Sequence, residues 1–357
     1  MVIRLACVGA GWAVRTIWLP LIRDLPHWTA VGIADPDPDA RAAAVAVCPG
    51  MRQAETVEAL LDQGEADIVL IASPNLLHVP HAEAALRAGC GVIVEKPVCF
   101  TAAEAARLVA VAETAGRLLW VSRATVERRD VTILHDQVAA GAVGPVHAVD
   151  LSWLRASGVP RVGTWFTRRV SAGGGVLADL GWHMLDVGLG LLGHPPPVAA
   201  QCVLHRDTGP LGGAAGWLGA PPQAAEVPWP PGTVDVETRA HGSLTLAGGG
   251  LVRLSVAWQS HAPRDICRVT VNGRDGSLDL ITTFGFSPVG VEHPSLTLTR
   301  RGQVEDLTPP REDVHAPYRR FLTRVAEDVA AGRLPGATAL TSVAASLEAL
   351  YAAASWR

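Results

Sequence analysis

Residues 3–11 read IRLACVGAG, an apolar run of strand length that ends in a Gly-x-Gly turn. A second apolar run ends at Asp35, 24 residues after Gly11. Glycines at a strand-to-helix turn let the backbone approach a pyrophosphate, and a carboxylate at the end of the second strand can accept ribose hydroxyl groups. The order of these features predicts a dinucleotide-binding unit. Its predicted cofactor-binding residues are Gly9, Gly11, Trp12, Ala13 and Asp35.

Two neighbours of this turn bear on helix packing and on the type of cofactor. Val14 stands where the fingerprint usually has Gly or Ala, so we expect the helix to pack on the strand through Ala13 or to lie slightly farther from it. Asp35 is followed by Pro36, with no Arg beside it, so a 2′-phosphate would meet a negative charge. We therefore expect NAD in preference to NADP.

The first 122 residues alternate apolar, strand-length runs with Ala-rich segments of helical period, a pattern typical of βαβ units. Strands are predicted at residues 3–9, 29–35, 67–73, 91–95 and 118–122. Helices are predicted at residues 12–25, 39–47, 56–63, 79–88 and 101–115, and Thr101 and Glu104 form a capping box at the start of the last one. The fold class is α/β, and residues 1–122 are expected to form a Rossmann domain with a doubly wound parallel sheet.

Residues 123–337 are predicted to form a second α/β domain with a large, mostly antiparallel sheet. Its alternating strands are expected at 146–154, 242–246, 251–259, 266–272 and 277–281. The Gly- and Pro-rich residues 206–234 predict a long loop. Helices are predicted at 314–331 and 338–354, and residues 338–357 are expected to pack back on the body as a C-terminal helix.

The composition excludes several classes of protein. Lys plus Arg number 30 and Asp plus Glu 34, a formal net charge of -4 with no long run of either sign, so nucleic acid and anionic membranes are not expected partners. The 49% hydrophobic content excludes a disordered or fibrous chain, and no stretch predicts a transmembrane span. The six cysteines lie far apart without CxxC pairs, which predicts reduced thiols, a cytoplasmic location and no structural zinc.

The basic residues are 29 Arg and a single Lys, Lys96. Arg serves wherever a positive charge is enough, so we expect the lone Lys to supply a compact ammonium whose pKa can be moved. Lys96 follows a predicted strand directly, at the carboxyl edge of the sheet, where ligands bind. We predict that Lys96 is catalytic, that Glu95 orients its ammonium, and that the cofactor is bordered by Glu95, Lys96 and Pro97.

A turn at the same edge of the sheet ends the predicted strand at 67–73. Its residues Ser73, Pro74 and Asn75 are predicted to contact the cofactor together with His78, and an ordinary Pro-Asn turn is the alternative. His78 and His81 have a spacing that metal ligands can have. No third ligand cluster accompanies them in the sequence, so no metal is predicted.

Residues 173–186 read GGGVLADLGWHMLD. On a helix, Asp179 and His183 would share a face, so the carboxylate could orient or polarise the imidazole, and both residues are predicted to be catalytic. A surface helix pair is the alternative. Tryptophans that could stack on a sugar are Trp153, Trp165 and Trp258. Arginines that could contact an anionic substrate group are Arg123, Arg128, Arg129, Arg168 and Arg169.

In order and rough spacing, these motifs resemble those of the glucose-fructose oxidoreductase / inositol dehydrogenase (Gfo/Idh/MocA) family, from residue 5 to about residue 190. The resemblance implies a Rossmann domain followed by an α/β domain whose open antiparallel sheet makes the contacts of a homodimer or homotetramer. It also implies a sugar, cyclitol or related polyol as substrate. In the roles so implied, Lys96 hydrogen-bonds the reacting oxygen, His183 is the general base, and Asp179 positions His183 or the substrate.

The leading hypothesis is an NAD-dependent dehydrogenase that oxidises a secondary hydroxyl of a sugar, cyclitol or glycoside to a ketone by hydride transfer to nicotinamide C4. Because the hydroxyl proton must leave as the hydride does, a base and a cation beside the oxygen both lower the barrier. The alternative is a reductase of a keto-sugar, free or nucleotide-linked. The resemblance implies that some keto-sugar-reducing relatives have another residue in place of His183, so the presence of His183 favours the dehydrogenase. A third hypothesis is a non-catalytic NAD-binding regulator.

Overall fold

The computed structural model of this chain describes residues 2–156, 158–206, 232–333 and 336–357. The chain forms two compact units, Met1–Arg123 with Tyr318–Leu340 and Ala124–Pro317 with Thr341–Arg357. The predicted domain limits stay a prediction. The contacts within the chain group Tyr318–Leu340 with the first unit, whereas we had expected most of this segment to belong to the second domain. Of the predicted loop at 206–234, residues 207–231 lie outside the described residues.

The first unit contains a six-stranded parallel sheet with the order β3-β2-β1-β4-β5-β6. The order reverses between β1 and β4, which places a ligand crevice at their carboxyl ends. All side chains of β4 and β5 are buried, as expected for strands covered on both faces. The strands are β1 (Ile3–Val8), β2 (Trp28–Ala34), β3 (Arg52–Ala54), β4 (Ile68–Ile71), β5 (Gly91–Val94) and β6 (Leu119–Val121). The predicted doubly wound sheet is confirmed, and only the short strand β3 was missed.

The helices of the first unit follow the strands at the predicted places. Thr101 and Glu104 form the predicted capping box at the start of the fifth helix, which ends at Gly116 with φ 61°. The first predicted helix begins at Trp12 as expected, but it takes π geometry over Val14–Trp18. The helices are α1 (Leu19–Asp24), α2 (Pro38–Val47), α3 (Val57–Leu61), α4 (His78–Arg87) and α5 (Ala102–Ala115).

The second unit contains a nine-stranded sheet with the order β14-β13-β12-β11-β7-β10-β9-β8-β15. Neighbouring strands are antiparallel except for the pairs β7–β10 and β8–β15, so the predicted mostly antiparallel sheet is confirmed. Its strands are β7 (Val146–Leu154), β8 (Pro197–His205), β9 (Arg239–Leu246), β10 (Leu251–Ala257), β11 (Ile266–Gly273), β12 (Ser277–Thr282), β13 (Ser295–Arg300), β14 (Gln303–Asp306) and β15 (Ala354–Trp356). The sequence patterns missed β8, β13, β14 and β15.

Helices cover one face of this sheet. The helices α6 (Arg129–Ala139), α7 (Arg169–Ala172) and α8 (Trp182–Leu191) belong to the second unit, and α8 contacts β7 and β10. Almost every side chain of α8 is buried, as in a helix surrounded by core. Two long helices, α9 (Ala316–Ala331) and α10 (Thr338–Ala352), lie close to their predicted positions. Among the described residues, no helix is long and apolar enough to cross a membrane.

Candidate active site

The turn after β1 has the geometry that a dinucleotide site needs. Gly9 has φ +93°, and a Cβ atom there would lie 2.5 Å from the backbone oxygen of Ala72, so only glycine fits. A Cβ at Gly11 would meet no atom within 4 Å, so the turn opens there on free space. The helix begins at Trp12 and continues through Ala13, which places its first N–H groups at this opening. These residues therefore fit a pyrophosphate at a helix N-terminus.

Asp35 fixes the shape of the same turn. Its carboxylate accepts the N–H of Ala10 at 2.7 Å and the N–H of Asp37 at 2.9 Å. The guanidinium of Arg41 donates to the backbone oxygen of Asp35 at 2.5 Å. No Arg adjoins Asp35 in the sequence, but in the structure α2 carries Arg41 back toward the end of β2. The positive charge of Arg41 weakens the sequence argument against a 2′-phosphate.

Val14 explains where the first helix changes geometry. This residue, at the third position of the fingerprint, is fully buried, and the π-helical segment begins at it. A π turn is wider than an α turn and is commonly found at functional sites. The helix thus changes geometry at the residue that departs from the fingerprint, and the expected packing through Ala13 stays a prediction.

His78 connects the turn after β4 with the segment after β5. Its Nδ1 lies 2.7 Å from the backbone oxygen of Pro97 and its Nε2 lies 2.8 Å from that of Ser73. Burial lowers the pKa of His78 to about 4, although the two carbonyl groups favour the protonated ring. A neutral imidazole has one N–H, so His78 donates to one of the two oxygens at a time. His78 therefore supports the turn at Ser73, Pro74 and Asn75 from behind, within the protein.

His81 also contacts this turn, since its Nδ1 lies 3.0 Å from the hydroxyl oxygen of Ser73. Among the residues that the structure describes, no group of three His, Cys, Asp or Glu side chains is arranged to hold a metal ion. The two histidines thus serve hydrogen bonding to the turn in this structure.

Glu95 is held by partners that the sequence did not reveal. Its carboxylate accepts the indole N–H of Trp18 at 2.8 Å, the hydroxyl of Ser122 at 3.2 Å and the backbone N–H of Lys96 at 3.1 Å. Burial raises the pKa of Glu95, and the charge of Lys96 acts in the opposite direction. The Lys96–Pro97 peptide bond is cis. Glu95 and Lys96 are therefore coupled electrostatically at the carboxyl end of β5.

Trp18 is the main site residue of the first unit that sequence reasoning missed. It is fully buried and packs edge-on against Tyr318 at 5.5 Å and Phe321 at 6.0 Å between ring centroids. Both aromatic residues belong to α9, the helix Ala316–Ala331. The sequence showed only that Trp18 lies in the first predicted helix. Its partners Glu95, Tyr318 and Phe321 are distant in the sequence, so its role could not be predicted.

In the second unit, the glycines at 173–175 dock on a buried carboxylate. Glu237 accepts the N–H of Gly175 at 2.8 Å, the N–H of Leu177 at 3.1 Å and the hydroxyl of Tyr351 at 2.7 Å. A Cβ at Gly175 would lie 2.1 Å from the backbone oxygen of Glu237, and one at Gly174 would lie 2.0 Å from the Tyr351 hydroxyl. Burial raises the pKa of Glu237. The turn thus approaches another backbone closely at Gly175, and the partner is Glu237.

Asp179 and His183 do not lie on one regular α-helix. Residues Leu177–Gly181 form a π-helix, and α8 begins at Trp182, so the turn between the two side chains is wider than we expected. The buried carboxylate of Asp179 accepts the indole N–H of Trp258 at 2.8 Å. This burial excludes the alternative of a surface pair. Trp258 was considered for sugar stacking, but its ring is fully buried and serves Asp179 instead.

His183 contacts Thr125 and Trp153, both of the second unit. Its Nδ1 lies 2.9 Å from the hydroxyl oxygen of Thr125, and its ring centroid lies 5.6 Å from that of Trp153. Trp153 is buried as well, so its ring is not accessible to a sugar, whereas Trp165 is half-buried. Lys96 belongs to the first unit, and Asp179 and His183 belong to the second.

Most arginines considered for an anionic substrate have partners within the second unit. Arg128 pairs with Asp130 at 2.6 Å, Arg168 lies 3.6 Å from Asp235, and Arg169 lies over the ring of Trp356. Each of these three arginines therefore contacts a neighbouring side chain of the fold.

Comparisons with known proteins agree with this architecture. Residues 3–123 match the model of an oxidoreductase family with an NAD-binding Rossmann fold, GFO/IDH/MocA, and residues 131–279 match the C-terminal domain model of the same family. A protein named as a UDP-kanosamine synthase oxidoreductase subunit, from Amycolatopsis mediterranei (strain S699), is 39% identical over 91% of this chain and 88% of its own length.

Two further relatives match over shorter lengths. The D-glucoside 3-dehydrogenase of Escherichia coli (strain K12) is 31% identical over 56% of this chain and 54% of its own. A dTDP-3,4-didehydro-2,6-dideoxy-alpha-D-glucose 3-reductase of Streptomyces violaceoruber is 34% identical over 58% of this chain and 59% of its own. The chain therefore spans little more than half the length of these two relatives.

Solved structures share the fold over the whole chain. A 3-ketoreductase from Actinomadura kijaniata, solved with NADP and TDP-benzene, has a TM-score of 0.79 and 21% identity, and covers 100% of this chain and 99% of its own. GenD2 from gentamicin A biosynthesis, solved with NAD, has a TM-score of 0.76 and 23% identity, with 99% and 94% covered.

Proposed function

Because the chain belongs to the Gfo/Idh/MocA family of oxidoreductases, we propose that it is an NAD-dependent dehydrogenase that oxidises a secondary hydroxyl of a sugar, cyclitol or glycoside to a ketone. The observation that carries the proposal is the position of Lys96. This single lysine of the chain follows β5 directly, at the ligand-binding edge of the parallel sheet, beside a carboxylate held by Trp18 and Ser122.

The cofactor would be held by residues at the ends of β1, β2, β4 and β5. When bound, it supplies the nicotinamide ring that accepts a hydride from the carbinol carbon. The residues proposed to border it are Gly9, Gly11, Trp12, Ala13, Asp35, Ser73, Pro74, Asn75, Glu95, Lys96 and Pro97. The buried His78 would contribute to cofactor binding through the backbone of Ser73 and Pro97, which it contacts. The open space beside Gly11 supports this assignment for the pyrophosphate.

The side chains proposed as catalytic divide the work of proton transfer and charge stabilisation. His183 takes the hydroxyl proton as general base, and the ammonium of Lys96 donates a hydrogen bond to the same oxygen as negative charge develops on it. Asp179, fixed by Trp258, positions His183 or the substrate. In the reverse direction, His183 returns the proton to the oxygen.

The names of relatives support a finer statement about the substrate. One is named a glucoside 3-dehydrogenase, one a 3-reductase of a dTDP-linked hexose, and a protein of the same fold is a 3-ketoreductase. We therefore propose that the reaction takes place at carbon 3 of a hexose. The UDP- and dTDP-linked names favour the second candidate function, reduction of a nucleotide-linked keto-sugar.

NAD is the proposed cofactor, and NADP remains the alternative. The carboxylate of Asp35 opposes a 2′-phosphate, while the nearby guanidinium of Arg41 would favour one. Proteins of the same fold have been solved with either cofactor. We give greater weight to Asp35, because its carboxylate is anchored at the turn by two backbone N–H groups.

We also propose a cytoplasmic homodimer or homotetramer without nucleic-acid or membrane partners. The six cysteines are free, buried thiols, which supports a reducing compartment. One face of the nine-stranded sheet carries the ion pairs Arg253–Asp150 and Arg268–Asp279, a polar open surface that suits contact between subunits.

A direct assay tests the proposal. The purified protein is incubated with NAD⁺ or NADP⁺ and a panel of inositols, glycosides, free hexoses and nucleoside diphosphate hexoses, and reduced nicotinamide is followed at 340 nm. We expect turnover with one sugar class, preference for NAD⁺, and a ketone at carbon 3 by NMR. His183→Ala should reduce turnover by about 10²-fold or more, whereas His147→Ala, an exposed histidine of β7, should match the wild type.

A reverse assay with NADH and 3-keto-sugars, together with a binding measurement, gives the outcomes that reject the leading proposal. Oxidation of NADH by 3-keto-sugars, with no activity on any alcohol, would establish the reductase instead. Cofactor binding measured by calorimetry, without turnover in either direction, would establish the NAD-binding regulator.

A further inference from the structure

We propose that Thr125 is a positioning residue for His183, whose hydroxyl accepts the Nδ1–H of the imidazole and confines proton exchange to Nε2. This inference rests on the proposed function, in which His183 exchanges a proton with the substrate. Thr125 belongs to none of the sequence motifs, and it lies in the short 3-10 turn Ala124–Glu127 that precedes α6.

The contact itself is well defined. Thr125 Oγ1 and His183 Nδ1 are 2.9 Å apart, and Thr125 is 8% exposed, so water competes little for this hydrogen bond. The N–H of Arg128 donates to the backbone oxygen of Thr125 and closes its turn. The hydroxyl is therefore presented to the imidazole by ordered backbone.

A second set of contacts fixes the plane of the imidazole. Trp153 packs on His183 at 5.6 Å with an interplanar angle of 50°. Trp153 is itself held edge-on by Phe284 at 5.6 Å and by the guanidinium of Arg155 at 5.0 Å. Arg155 forms a buried ion pair with Asp265 at 2.6 Å. Rotation of the imidazole away from Thr125 would break this packing, so the hydrogen bond and the ring stack act together.

The chemistry of imidazole decides which group donates. A neutral imidazole carries one N–H, and the partner of one nitrogen sets the state of the other. The protonated ring carries an N–H on both nitrogens, so a partner that serves both states must accept. A hydroxyl oxygen can accept in both states. With Nδ1–H bonded to Thr125 throughout, the substrate O–H bond breaks as an Nε2–H bond forms, and the hydrogen bond to Thr125 is kept in both states.

The opposite direction of the hydrogen bond between Thr125 and His183 would have a different consequence. If the hydroxyl donated to Nδ1, the neutral ring would carry its proton on Nε2 and could not take a second proton there. Thr125 would then only close the turn before α6. The tautomer of His183 therefore distinguishes a positioning role from a structural one.

The test uses the isosteric change Thr125→Val, which removes the hydroxyl, and Thr125→Ser, which keeps it. Thr282→Val is the matched control, because Thr282 is also buried in the second unit and its hydroxyl accepts a hydrogen bond from Arg128. The tautomer is read from ¹⁵N NMR of histidine-labelled protein, with His183→Gln to assign the signals. Kinetics give kcat and KM for the sugar identified in the assay above.

We expect the wild-type spectrum to show His183 protonated on Nδ1, with a lone pair on Nε2. In Thr125→Val the Nε2–H form should become populated, and kcat should fall about 10- to 100-fold with KM within about twofold. Thr125→Ser should restore most of kcat, and Thr282→Val should change neither the spectrum nor kcat.

Three results would overturn the inference: a wild-type His183 protonated on Nε2, a Thr125→Val protein with unchanged spectrum and kcat, or no recovery in Thr125→Ser. If Thr125→Val does not fold, the wild-type tautomer and Thr125→Ser still decide. Failure of the proposed function can be distinguished from failure of this inference. If His183 does not exchange a proton with the substrate, His183→Gln would turn over like the wild type. A low activity of His183→Gln with an unaffected Thr125→Val would reject only the role of Thr125.

Discussion

The two halves of the proposed site are built in different ways. In the first unit, the contacts that shape the cofactor turns join residues close in sequence, such as Ala10 with Asp35, 25 positions apart, and His78 with Pro97, 19 apart. In the second unit, His183 meets Thr125 across 58 positions, and Asp179 meets Trp258 across 79. The first half follows from one repeated βαβ pattern, whereas the second depends on contacts between distant elements.

This difference explains for which motifs the position in the fold could be predicted from the sequence. Parallel strands joined by helices bring all their carboxyl ends to one edge, so a motif that follows a strand is placed by topology alone. The antiparallel sheet has no such edge, and the environment of Asp179 and His183 depends on the strand that packs beneath them. Trp18 fits the same rule, because its partner Glu95 is 77 positions away and was missed.

The largest expected effect tests the first half. Lys96→Ala should lower kcat by about 10²-fold or more while the affinity for NAD stays nearly unchanged, because the ammonium serves the developing charge on oxygen and not the cofactor. Stopped-flow turnover and calorimetric titration with NAD give the two values. Lys96→Arg is the matched variant and should recover little activity, since a guanidinium is broader and does not give up its proton. Loss of NAD binding with normal turnover per bound enzyme would contradict the catalytic role.

The same substitution, Gly→Ala, is expected to have different effects in the turn at Gly11 and in the turn at Gly175. Gly175→Ala places a Cβ 2.1 Å from a backbone oxygen and should lower the free energy of unfolding by about 2 kcal/mol. Gly11→Ala meets no atom within 4 Å and should leave stability unchanged, but its methyl group would occupy the opening proposed for the pyrophosphate and weaken NAD binding. Urea unfolding and NAD titration of both variants make the measurement. Equal stability of the two variants would show that the turn at 173–175 is not tightly docked.

The smallest expected effect concerns the pH dependence of the second half. Burial raises the pKa of Glu237, so the folded protein binds more protons than the unfolded chain does. Its contribution to stability is therefore present below the unfolded pKa of about 4.3 and is lost as the pH rises through the folded pKa. The Tm of the wild type minus the Tm of Glu237→Gln should be largest near pH 4 and should decline toward neutral pH.

Calorimetric scans from about pH 4 to 8 measure this trend. The exposed residue Glu292 supplies the control, since Glu292→Gln should give a nearly constant difference over the same range. A difference that grows with pH would mean that ionised Glu237 is the better anchor for Gly175 and Tyr351.

The sequence predicted the first unit in more detail than the second. The alternation of apolar runs and helical segments located five of the six parallel strands, and the capping box located the start of α5. Strands β8, β13, β14 and β15 were missed. For the edge strand β14 the reason is plain, because all its side chains are exposed and it has no apolar period to detect.

The sequence by itself determined the strand-end motifs, the lone Lys96, the Gly-x-Gly turn with Asp35, and the presence of Asp179 and His183, because covalent order and side-chain period fix these features. Only the tertiary structure decided what those groups contact. It placed Arg41 beside Asp35, Trp18 on Glu95, Thr125 on His183, and Trp258 on Asp179. The physical reason is that a buried polar group must find a hydrogen-bond partner wherever packing brings one, and that choice is made between elements remote in the chain.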